Sequence, residues 1–191
     1  MTEETVLPLS SRNKRPISAV ALVGFMGAGK TTVGQALAAR MGWSFTDLDR
    51  VIESKDGRTI EQIFRLSGEP AFRRIEQESL RETLGALQAG PCVLALGGGA
   101  FTDQENHRLL AVADVAIVFL DAPVEELFRR CEQPDVVRPL RRNLDQFREL
   151  YERRRHSYGN STLKISTAGK DIPWIVERIM SELNLVVGAS E

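Results

Sequence analysis

A chain of 191 residues can bury a sizeable core but is too short for two ordinary domains plus a linker, so one domain is expected. Apolar residues at 42%, charged residues at 27% and a net charge of -1 suit a globular protein and argue against nucleic acid as the main partner. Any strong positive field must therefore be local.

Residues 1–16 are polar, carry charges of both signs and lack the apolar run of a signal peptide, so they read as a disordered extension ahead of a domain over 17–191. The first predicted element is an apolar strand at 17–23. It runs into Gly24-Phe25-Met26-Gly27-Ala28-Gly29-Lys30-Thr31, which has both the letters and the context of a phosphate-binding loop. Such glycines let successive N–H groups curl around phosphate oxygens, and the helix predicted over 30–41 adds the positive end of its dipole. Gly27, Ala28, Gly29 and Thr32 line this candidate cofactor site; Lys30 brings a point charge to the outer phosphates and Thr31 a hydroxyl for Mg²⁺. A merely tight strand-to-helix turn would explain some glycines but not Lys-Thr at this offset.

The second strand, at 43–46, ends beside Asp47 and Asp49, which on an extended chain would share a face at the carboxyl edge of the sheet. Helices follow at 49 to about 55, 59–66 and 70–88, with Thr59 and Gln62 as a capping box and Gly68 and Gly90 suited to helix ends. On the last of these, Arg73 and Glu76 stand three apart, so Glu76 can orient the guanidinium; Arg74 and Glu78 form a rival pair expected to be solvated. The strand at 92–96 leads directly into Gly97, Gly98 and Gly99, bare backbone on which a ligand can lie flush, or else a flexible connection. A helix at 103–111 and a strand at 115–120 come next. Asp121 ends that strand but is followed by Ala122, not an acid; it reads as a cap before Pro123 and the helix at 123–131, with an approach to Mg²⁺ as the minor alternative.

Residues 132–143 break the periodicity with two prolines and carry Arg138, Arg141 and Arg142. They read as a mobile lid that can deliver a cation to transferred phosphate, against the alternative of a solvated basic loop. The remaining elements are a helix at 144–157, a strand at 163–165 and a helix at 172–184. Short strands alternating with helices imply an α/β fold with a parallel sheet. Cys92 and Cys131 lie far apart without metal-ligand spacing, which favours reduced thiols, and no stretch is long and apolar enough to span a membrane. The expected setting is cytoplasmic, without a membrane partner.

The phosphate loop at 24–31, Asp47-x-Asp49, Phe72-Arg73-x-x-Glu76, Gly97-Gly98-Gly99 and Arg138-Pro139-Leu140 together resemble the shikimate kinase family in content and order, across nearly the whole chain after Pro16. The resemblance implies a three-layer P-loop NTPase fold with a five-stranded parallel sheet flanked by helices. It also implies a monomer, a requirement for ATP and Mg²⁺, and transfer of the γ-phosphoryl group to the 3-hydroxyl of shikimate. By the same resemblance Lys30, Asp49 and Arg138 would be catalytic. Thr31 would ligate Mg²⁺ directly and Asp47 through water. Asp49, Arg73, Gly97, Gly98, Gly99 and Arg154 would bind the substrate within a region of about 48–90 and beyond it, and Arg130 would stack on adenine. The family's Arg-x-Pro-Leu-Tyr stretch reads Arg154-Arg155-His156-Ser157-Tyr158 here, so Arg153 and Arg155 stay open as alternatives to Arg154. Two other readings fit the same residues: a kinase of another hydroxylated acid such as gluconate, and a nucleotide-binding regulator without turnover.

Overall fold

The computed structural model describes residues 16–131 and 143–187. Within them five strands form one parallel sheet in the order β2-β3-β1-β4-β5: β1 is Ala19–Val23, β2 Ser44–Asp47, β3 Cys92–Ala95, β4 Ala116–Asp121 and β5 Leu163–Ser166. The three central strands are continuous apolar runs, buried along almost their whole length, as a sheet covered on both faces requires. The two outer strands, β2 and β5, are the more polar and the more exposed.

Seven helices flank the sheet among the described residues: α1 Lys30–Met41, α2 Leu48–Asp56, α3 Ile60–Gly85, α4 Gln104–Val112, α5 Val124–Cys131, α6 Leu144–Tyr158 and α7 Ile172–Leu183. The expected capping box starts α3: the Thr59 hydroxyl accepts from the Gln62 N–H, and the Gln62 side chain accepts from the Thr59 N–H. The two helices read over 59–66 and 70–88 stack end to end across a break at Gly68 (φ 77°, ψ 171°), where Pro70 can donate no backbone hydrogen bond. Residues Ala86–Ala89 finish that segment as a 3₁₀ turn rather than as α-helix.

The connection leaving β1 runs toward the β2 edge and that leaving β3 crosses to β4, so the crevice opens where these neighbouring strands end. Register carries the carboxyl ends there together, with Leu22 opposite Ala95 and Ala95 opposite Asp47. The phosphate loop, the acidic pair and the glycine triplet all leave the sheet on this one edge.

Candidate active site

The loop after β1 is held from beneath by Phe25, which is fully buried and meets Phe147 and Tyr151 of α6 edge-on, with ring centroids 4.9 and 5.4 Å away. Gly27 lies so close to α5 that a Cβ would stand 2.6 Å from the Leu127 carbonyl oxygen, so only glycine fits. Ala28 is buried and Gly29 caps α1 with no side-chain hydrogen bond, leaving the first-turn amides to other acceptors. Lys30 donates to the Gly24 and Phe25 carbonyls at 2.9 and 3.1 Å, which folds its ammonium over the loop. Thr32, the next residue in that turn, is exposed.

Thr31 Oγ1 donates to Asp47 Oδ2 at 2.8 Å across the crevice. The other Asp47 oxygen accepts the Asp49 N–H at 3.1 Å and caps α2. This corrects the reading of Asp47 and Asp49 as alternate residues of one extended segment. Because the capping turn begins at Leu48, Asp49 rides on the first turn of a helix. A hydroxyl and a carboxylate in contact beside a phosphate loop suit Mg²⁺, which takes one or two protein ligands and fills the rest of its shell with water and phosphate oxygens.

The glycine triplet is where four side chains converge. A Cβ at Gly97 would stand 2.5 Å from Asp49 Oδ1 and 3.6 Å from Glu76 Oε1; at Gly98, 3.4 Å from Arg154 Nη1; at Gly99, 2.8 and 3.0 Å from Arg73 Nη2 and Nη1. A side chain at Gly97 or Gly99 would therefore displace the Asp49 carboxylate or the Arg73 guanidinium, whereas one at Gly98 would meet Arg154 at ordinary contact distance. Arg73 donates to Glu76 at 2.7 Å, as its spacing suggests, and also to Glu69 at 3.1 Å. Glu76 is 1% exposed, and burial holds its carboxyl above the usual range against the opposing pull of Arg73. The rival pair does not take its expected form: Glu78 lies 3.8 Å from Lys55.

Of the three consecutive arginines on α6, Arg153 and Arg155 are exposed, whereas Arg154 is half-buried with its guanidinium 5.7 Å above the Phe25 ring. Burial lowers its pKa, and the Arg73 charge adds to that effect. Two guanidiniums therefore face one glycine turn, an arrangement that an anion would relieve. His156, on the same helix, is exposed.

Arg130 of α5 is drawn to the other side of the phosphate loop. It donates to the Gly27 carbonyl and to both oxygens of Thr167 at 3.4 Å each, and pairs with Glu126. Thr167, 1% exposed, follows β5 and went unremarked in the sequence; a hydroxyl just past the carboxyl end of a parallel strand was the signal available. Asp121 is not a helix cap. Its carboxylate accepts from Tyr151 at 2.9 Å and pairs with Lys164 at 2.9 Å, because it still belongs to β4 and points across to α6 and β5. Arg138 and residues 132–142 of the lid read over 132–143 lie outside the described residues, as do residues 1–15 of the extension read over 1–16.

A sequence model of the shikimate kinase family matches residues 26–184. The shikimate kinase of Persephonella marina is 38% identical over 85% of this chain and 96% of its own length. That of Thermus thermophilus is 39% identical over 88% and 91%. Among solved structures, the shikimate kinase of Acinetobacter baumannii in complex with shikimate superposes with a TM-score of 0.81 at 33% identity, over 88% of this chain and 93% of that one.

Proposed function

This chain belongs to the shikimate kinase family and is an ATP-dependent kinase that works with Mg²⁺, and on that premise we propose that it transfers the γ-phosphoryl group of ATP to the 3-hydroxyl of shikimate, serving aromatic amino-acid synthesis. The observation that carries the reading is the meeting of Arg73, Arg154 and Asp49 at one bare glycine turn: two cations for a carboxylate beside an acid for a hydroxyl. Gluconate would ask for a similar set of groups, so the acceptor is decided by assay.

Arg73 grips the substrate carboxylate as a planar fork, oriented by Glu76 and Glu69, and Arg154 closes on it from the opposite side. Gly97, Gly98 and Gly99 let the ring lie against the main chain. Asp49 hydrogen-bonds the attacking hydroxyl and takes its proton late, as the loose transition state of phosphoryl transfer permits. On the donor side the amides of Gly27, Ala28, Gly29 and Lys30, with Thr31 and Thr32, hold the phosphates. The Lys30 ammonium turns from the loop carbonyls to the outer oxygens. Thr31 would hold Mg²⁺ directly and Asp47 through water, and the ion when bound would neutralise charge on the phosphates. Arg130 packs beside the base, and Arg138 of the lid read over 132–143 adds a cation to the phosphates.

Residues 17–191 serve as one kinase domain with an acceptor region of about 48–90, and the chain works as a monomer, a reading supported by one chain supplying all the described site residues. Cys92 and Cys131, which stand in no disulfide, support residence in the reducing cytoplasm. No helix among the described residues is long and apolar enough to cross a membrane. The test is ADP release coupled to a redox readout, run over shikimate, gluconate and nucleoside monophosphates. Turnover with shikimate alone is expected, and turnover with gluconate alone would overturn the assignment.

A further inference from the structure

Tyr158 closes α6 and is completely buried. Its ring stacks on Phe119 of β4, centroids 4.9 Å apart, and its hydroxyl donates to the main-chain oxygen of Gly98 at 2.5 Å. A tyrosine buried for packing alone would serve as well as phenylalanine. This hydroxyl instead stitches the end of a helix to the middle of the glycine triplet, and two consequences follow for the site.

The peptide plane fixes the Gly99 N–H opposite the Gly98 carbonyl, so a hydrogen bond that pulls the carbonyl toward Tyr158 turns the N–H the other way. Arg154 lies one helical turn before Tyr158, on the same face, and its Nη1 comes within 3.4 Å of where a Gly98 Cβ would sit. The stitch therefore sets the distance between Arg154 and the turn as well as the attitude of the turn itself. We propose that Tyr158 is a positioning residue for the acceptor: through Gly98 its hydroxyl holds the glycine turn and Arg154 in the spacing that receives the substrate carboxylate, while the nucleotide half of the site does not depend on it. The proposal rests on the acceptor reading given above.

Tyr158→Phe keeps the ring and removes only the stitch. Its expected signature is a rise in the KM for shikimate of about three- to tenfold, the value of one hydrogen bond of ordinary strength, with kcat and the KM for ATP unchanged. Phe119→Leu is the companion variant, since it loosens the same packing but keeps the hydroxyl; a lower melting temperature with an unaltered KM for shikimate is expected. The proposal is overturned if Tyr158→Phe leaves the KM for shikimate unchanged, if it raises both KM values together, or if Phe119→Leu reproduces its effect. Absence of shikimate turnover in the unmodified enzyme would overturn the acceptor reading and this proposal with it. A working enzyme with an indifferent Tyr158→Phe variant would remove the stitch alone.

Discussion

Replacing Gly97 by Ala is expected to slow turnover about a hundredfold while sparing both the fold and the nucleotide site. The added methyl would stand 2.5 Å from Asp49 Oδ1, against 3.4 Å for ordinary contact, so the carboxylate must retreat by about 0.9 Å. The backbone of Asp49 cannot follow, because its N–H is held by the Asp47 carboxylate at the start of α2. Retreat toward Glu76 is opposed by charge, since the Asp49 carboxylate already adds to the rise of the Glu76 pKa. The side chain must therefore turn away from the crevice. Displacing a reacting group by about 1 Å costs on the order of a hundredfold in rate, or about 2.7 kcal/mol of barrier. Gly97 is not among the glycines with positive φ, so the backbone itself accepts alanine. Coupled ADP release gives kcat and both KM values, and a thermal melt on the same preparation reports the fold. An undiminished kcat in a folded Gly97→Ala enzyme would refute the placement of the Asp49 carboxylate at the reacting hydroxyl.

Arg73→Ala should weaken shikimate binding by about 1.5–3 kcal/mol, tenfold or more in KM, and spare ATP; equal losses for both substrates would contradict its role. The same change strands the buried Glu76 carboxylate and should lower the melting temperature, which a second change, Glu76→Gln, should largely restore. Glu76 also makes stability depend on pH. Burial raises its pKa above 4.5, with Arg73 opposing and Asp49 and Asp103 adding to the rise, so the native state binds that proton more tightly than the unfolded chain. Its contribution is then full below pH 4.5 and is lost as pH climbs through the raised value. Urea unfolding at a series of pH values should show this declining limb flattened in Glu76→Gln, and superimposable profiles for the two proteins would refute it.

The architecture was legible because its signals are local. The apolar runs of β1, β3 and β4 are what a doubly covered parallel sheet demands, and the Thr59–Gln62 box marks a helix start in the letters themselves. The phosphate loop was equally readable, since its chemistry is carried by consecutive residues. Where the sequence misled, a tertiary contact decided. Asp121 looks like a helix cap from its neighbours, but Tyr151 and Lys164, distant along the chain, claim its carboxylate. Asp49 keeps its place in the site by a helical turn instead of by strand alternation, because the Asp47 cap starts α2 one residue earlier than periodicity suggests. The choice among Arg153, Arg154 and Arg155 was open for a similar reason. Only the packing of α6 over Phe25 shows which guanidinium turns inward. The Thr167 contact to Arg130 and the Tyr158 stitch to Gly98 join segments tens of residues apart, and no local pattern encodes them.

The most direct test of the central claim is a crystal structure with ADP and shikimate bound. The substrate carboxylate is expected between the Arg73 and Arg154 guanidiniums, with one ring hydroxyl in hydrogen-bond contact with Asp49 and facing the phosphate loop. A carboxylate seated away from both arginines, or a ring whose hydroxyls all lie out of reach of Asp49, would contradict it.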